Sequence, residues 1–101
     1  MRRAAKVDDN QPAIVEHLRS LGMSVCLLHT VGKGVPDIIV GYRGLNVLLE
    51  IKDGSKPPSA RKLTQPEVDW QLEWRGQVAT VKDKEEAETE VVRIWRRSVA
   101  R

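Results

Sequence analysis

Residues 36–52 constrain this chain more than any other stretch. Asp37-Ile38-Ile39-Val40 and residues 45–52 are apolar runs of strand length, and the Gly41-Tyr42-Arg43-Gly44 segment between them reads as a hairpin turn. In the second run the odd positions Leu45, Val47, Leu49 and Ile51 are all apolar, while the even positions are Asn46, Leu48, Glu50 and Lys52. Side chains alternate across a strand, so one face of the hairpin belongs to a core and both charges share the other. A four-residue turn centred between Tyr42 and Arg43 sets Asp37 across from Leu48. Asp37 then falls on the charged face as a diagonal neighbour of Glu50, about 7 Å away.

The flanking segments supply the layers such a hairpin needs. Residues 12–21 place Ile14, Val15, Leu18 and Leu21 on one helical stripe, with Asp9 or Asn10 as cap, Pro12 in the first turn and Gly22 as the stop. Gln11 projects from the inward side of the helix start, whereas Glu16 and His17 lie off the stripe and are expected in solvent. Residues 24–30 read as a buried strand, which makes Cys26 a small core hydrophobe. As the only cysteine, it excludes an intramolecular disulfide and a Cys-rich zinc site. His29 closes that strand and is expected to be structural. Residues 53–62 form a loop made basic by Lys56, Arg61 and Lys62.

Thr64-Gln65-Pro66-Glu67 has the form of a capping box, opening a helix to about Arg75. Trp70 and Trp74 share a side of it and are expected in a core or an interface. A short strand over 77–81 follows, then a last helix capped by Asp83 and Glu86, acidic early and basic late as its dipole favours. Trp95 is its candidate interface anchor. The expected fold is a single α/β domain over 1–101, order α-β-β-β-α-β-α, with a mixed sheet flanked by helices. Residues 1–8 are expected to form a flexible basic arm.

A hydrophobic fraction of 41% argues against disorder, and the net charge of +3 leans towards a polyanionic partner. No apolar run approaches the ~18 residues of a membrane span, so no membrane partner is expected and the protein is read as soluble and cytoplasmic. Gly32-Lys33-Gly34 lacks the spacing of a phosphate-binding loop, so no nucleotide cofactor is expected.

Two carboxylates at the separation of Asp37 and Glu50 suit one hard divalent cation, Mg²⁺ or Mn²⁺, that keeps room for phosphate oxygens. Such an ion activates water and polarises a phosphodiester. Lys52, one pleat beyond Glu50, would steady the anionic transition state. Spacing alone equally fits charged residues that merely mark strand ends.

Gly34-Val35-Pro36-Asp37 followed by Glu50-Ile51-Lys52 resembles the P-D…(D/E)-x-K signature of restriction-endonuclease-like nucleases. More closely, residues 10–81 resemble the VRR-NUC family of virus-type replication-repair nucleases, in particular its short stand-alone phage members. The turn glycines Gly41 and Gly44, and Leu63-Thr64 opening the next helix, belong to that likeness. It implies a restriction-endonuclease-like core and a structure-selective DNA endonuclease acting on four-way junctions or other branched DNA. Asp37, Glu50 and the Ile51 carbonyl would hold the metal, Lys52 would be the catalytic lysine, and the chain would work as a homodimer. Where the family often has an acidic residue at the first helix, this chain has Gln11, which keeps hydrogen-bonding capacity but adds no charge. Glu67 stands where relatives often carry Gln, and reads either as a pocket residue or as a cap. Lys33, Arg43, Lys56, Arg61 and Lys62, on loops around the site, are the expected DNA contacts. The alternatives are a ribonuclease or nicking enzyme, and a nuclease-fold module that binds DNA or a partner without cutting.

Overall fold

The computed structural model describes residues 7–100. Among the described residues, three helices and four strands run α1 (Gln11–Ser20), β1 (Ser24–Leu27), β2 (Ile38–Tyr42), β3 (Leu45–Ile51), α2 (Gln65–Glu73), β4 (Val78–Val81) and α3 (Lys84–Val99), with a 3₁₀ turn at Pro58–Ala60. The sheet order is β1-β2-β3-β4; the first two pairings are antiparallel and β3 with β4 is parallel, so the sheet is mixed. The α/β class and the element order agree with the sequence reading. The stretch expected as a basic arm falls outside the described residues except for Val7 and Asp8, both half-buried. Among the described residues, no helix is long and apolar enough to cross a membrane.

The β2–β3 hairpin turns on two residues, with Tyr42 paired to Leu45 and positive φ at both Arg43 (50°) and Gly44 (83°). Such a turn matches the twist of the strands it joins. Relative to the four-residue turn expected, the register shifts by two, so Ile38 pairs with Leu49, and Asp37, just before the strand, contacts Leu49 and Ile51 and not Leu48. A shift of two keeps every side chain on its expected face. Val47, Leu49 and Ile51 point with Ile38, Val40 and Val81 into the core.

That core is closed by α1, through Ile14, Val15 and Leu18, and by α3, through Ala87, Val91 and Ile94. Each fully buried aliphatic side chain contributes about 1.5–3 kcal/mol relative to exposure. α1 ends where Gly22, at φ +86°, lets its own N–H reach Arg19 O and that of Met23 reach Leu18 O. The chain turns there, so Leu21 leaves the stripe and is exposed. His17 is half-buried, not solvated: its Nε2 lies 2.8 Å from Glu88 Oε1 and ties α1 to α3.

Two further expectations are corrected. The strand expected over 24–30 is only Ser24–Leu27, and it is a sheet edge with three of its four residues exposed, Cys26 among them. Asn10 flanks α1 but does not cap it with its side chain; its Nδ2 donates instead to the carbonyls of Lys52 (2.9 Å) and Lys82 (3.0 Å). The start of α1 is thereby pinned over the C-terminal ends of β3 and β4.

Candidate active site

Strand alternation puts Asp37, Glu50 and Lys52 on the sheet face opposite α1 and α3, the face that carries α2. The Asp37 and Glu50 carboxyls are close enough to share a hydrogen bond, nearer than the diagonal spacing expected. β3 sends the N–H groups of Leu48 and Lys52 to β4, so the peptide groups of Leu49 and Ile51 face β2. The paired register of β2 with β3 stops at Ile38 and Leu49, and just before it the Asp37 N–H donates to the Leu49 carbonyl at 3.1 Å. The Asp37 carboxylate reaches further along β3, and its Oδ2 accepts the Ile51 N–H at 2.7 Å.

Glu50 is only 3% exposed, and its Oε1 has no hydrogen-bond partner. Burial, then the hydrogen bond and charge of the neighbouring Asp37 carboxylate, push its pKa up to about 10, with Lys52 opposing. Without a cation the carboxyl therefore keeps its proton at neutral pH. Two carboxyls pressed together with an orphaned buried oxygen are what a divalent cation would relieve, so the residues fit Mg²⁺ or Mn²⁺. Among the described residues, no group of three or more His, Cys, Asp or Glu side chains has metal-holding geometry.

Lys52 Nζ stands 3.8 Å from Glu50 Oε2 and 2.8 Å from Glu67 Oε1. Burial alone would lower its pKa, but the Glu67 hydrogen bond and charge, then Glu50, outweigh it and leave the ammonium firmly protonated. For Glu67, burial is overcome by Lys52 and the Thr64 N–H, so its carboxyl is lowered and ionised. Glu67 is thus both a capping-box residue and a member of the site: Thr64 N donates to Oε1 at 2.8 Å while Glu67 N donates to Thr64 Oγ1 at 3.4 Å.

A cleft of about 270 Å³ opens beside this group, between the 29–35 loop and the start of α2, with His29, Lys33, Asp37 and Glu67 on its walls. Its width is set by backbone: Gly34, at φ +82°, lies so close to Pro66 that a Cβ there would run into the Pro66 carbonyl. His29, expected to be structural, lines this cleft, with its buried Nδ1 unpartnered. Gln11 is 3% exposed at the first position of α1, its Oε1 also without a partner.

Of the expected DNA contacts, Lys33 sits on the cleft rim and Lys56 lies near the site, interacting with Asp8 and Asp53. Lys62 is exposed, and Arg61 is half-buried near Lys82. Arg43 does not belong to this group. It tips the hairpin at the far end of β2 from Asp37, about 20 Å along the strand. Its guanidinium covers the Trp95 ring at 4.6 Å, and Tyr42 meets the same ring edge-on. The residue missed from sequence is Asp8: its carboxyl is raised by burial, opposed by Lys56, and it feels the charges of Asp37 and Lys52. It precedes the helix in a basic stretch, where no periodicity marks it.

No protein-family model, curated protein or solved structure matches the chain.

Proposed function

We propose that this chain is a metal-dependent, structure-selective DNA endonuclease with a restriction-endonuclease-like core, acting on four-way junctions or other branched DNA. The observation that carries the reading is the contact of the Asp37 and Glu50 carboxyls, with Glu50 buried, one of its oxygens free and the Lys52 ammonium beside it. The likeness to the P-D…(D/E)-x-K nucleases rests on these same residues.

Asp37, Glu50 and the Ile51 carbonyl would hold Mg²⁺ or Mn²⁺, which supplies Lewis acidity and an activated water when bound. The chain's own groups do the rest. The Ile51 N–H fixes one Asp37 oxygen, so that the other is presented to the site. Lys52 places a full positive charge where a phosphorane oxygen gains negative charge, in a half-buried setting that strengthens the interaction. Lys33 on the rim, with Lys56 and Lys62 on the following loop, draws in the phosphate backbone.

The test is a titration with Mg²⁺ and Mn²⁺ on four-way junctions, flaps, linear duplex and RNA. Branched DNA should be cut in a metal-dependent way. Asp37→Ala, Glu50→Ala and Lys52→Ala should each lower the rate about 100-fold or more while DNA affinity persists. Binding without cleavage of any substrate would leave a DNA-binding module, and preferred RNA cleavage a ribonuclease. Wild-type rates in Lys52→Ala would remove the lysine from the mechanism.

For the homodimer suggested by the sequence, exposed apolar surface favours α2 over α3. Leu72 is 79% and Trp74 46% exposed, whereas the Trp95 ring is already engaged by Tyr42 and Arg43. Sedimentation of Leu72→Glu and Trp95→Glu separates the two surfaces.

A further inference from the structure

The polar contacts of Lys52 converge on a residue outside the metal-binding pair. Its ammonium stands 3.8 Å from the Glu50 carboxyl and 2.8 Å from the Glu67 carboxylate. The two differ in what else they must do. Glu50 is needed by a cation, and a lysine paired to it competes for the same oxygens. Glu67 has no such duty. Its Oε1 is already fixed by the Thr64 N–H, so it is an immobile acceptor at the first turn of α2. It also lies on the cleft wall, whereas Glu50 is buried and hydrogen-bonded to Asp37.

We propose that Glu67 is a positioning residue: it holds the Lys52 ammonium on the cleft side and away from Glu50, leaving the Glu50 carboxylate to the cation. The inference rests on the nuclease reading above. A lysine side chain has four rotatable bonds and about 2 kcal/mol of rotamer entropy, so one carboxylate at 3.8 Å does not define its position. The short contact to an anchored oxygen does. α2 buries none of its own residues, so this contact also ties a lightly packed helix to the end of β3.

Three variants of the full chain decide it, each read by single-turnover cleavage with saturating metal and by direct Mn²⁺ binding to DNA-free protein. Glu67→Ala frees the lysine to fall onto Glu50. It should lower kcat by about 100-fold with KM for DNA unchanged, and weaken Mn²⁺ binding. Glu67→Gln keeps an oxygen acceptor for both Lys52 and Thr64, and should recover most of both losses. Thr64→Ala removes the other half of the capping box without touching Lys52. It should cost about 1 kcal/mol of stability and leave kcat and Mn²⁺ affinity near wild type. If Thr64→Ala is as damaging as Glu67→Ala, Glu67 is only a helix cap and the inference falls. If Glu67→Gln is as poor as Glu67→Ala, or Glu67→Ala changes neither readout, it falls as well. Wild-type protein that cuts nothing removes the nuclease reading and this inference together, whereas active wild type with an unaffected Glu67→Ala removes only the latter.

Discussion

The two faces of the sheet are built on different terms. On one, α1 and α3 close over a dry cluster of thirteen buried side chains contributed by both helices, three strands and Met23. On the other, α2 buries nothing, leaves Leu72 and Trp74 in solvent, and reaches the sheet through polar contacts such as Gln71 Nε2 to Thr80 Oγ1 at 3.3 Å. Every group with unusual electrostatics around Lys52 lies on or beside this second face. The packed core and the cluster of interacting charges thus lie on opposite sides of one strand. Leu49 and Glu50 are adjacent in β3 and equally hidden, yet one is in the oily layer and the other is a carboxyl without enough partners.

That contrast is sharpest between those two residues. Leu49→Ala should cost about 2–5 kcal/mol, read by chemical denaturation, because the surrounding helices cannot collapse into the space. Glu50→Gln should do the reverse, raising the melting temperature of metal-free protein at pH 8 while cleavage is lost. It removes a buried acid without changing its shape. A fall in stability comparable to that of Leu49→Ala would mean the two faces are not energetically distinct.

A second break comes from pH. Folded Glu50 holds its proton up to about pH 10, well above the 4.5 of an exposed glutamate. The stability it contributes is fully present below pH 4.5 and is lost as pH rises towards 10, because the unfolded chain sheds the proton first. Calorimetry of metal-free protein should show the melting temperature declining from pH 5.5 to pH 9, with Glu50→Gln reducing the slope. Saturating Mg²⁺ should offset the decline, since the ion takes the deprotonated carboxylate. A slope unaltered by Glu50→Gln would place the titrating group elsewhere.

Smaller effects probe the lightly packed side. Gly34→Ala combines a left-handed backbone with a collision against Pro66. It should cost about 1–3 kcal/mol and open the cleft, seen as a raised KM for DNA. Leu72→Ser should change stability by no more than about 0.5 kcal/mol, because the side chain touches little. A larger loss on dilution would instead show α2 covered by a second copy.

What could be read from the sequence was what is encoded locally. The alternation of 45–52 marked both faces of β3, and Thr64 with Glu67, like Asp83 at α3, announced their helix starts through fixed spacings. What escaped was set at a distance. The exposure of Cys26 follows from β1 being an edge, which no feature of residues 24–30 encodes. The two-residue turn requires positive φ at an arginine, so the glycines suggested a longer one. Arg43 was assigned to the wrong end of the molecule because nearness in sequence to Asp37 hid a full strand of separation. Asp8 and His29 reach the site through tertiary packing alone. For the site itself, the strand pattern located Asp37, Glu50 and Lys52, but not the choice of Lys52 between two acids.

Asp37 has a consequence of another kind. Its N–H donates to the Leu49 carbonyl and its Oδ2 accepts the Ile51 N–H, so one residue grips β3 twice, once with backbone and once with side chain. Replacing it by alanine therefore loosens the strand end as well as removing an acid. Asn keeps an oxygen acceptor of the same shape and takes away only the charge. At this position the change from Asp to Asn isolates the acid from the brace, which truncation cannot do.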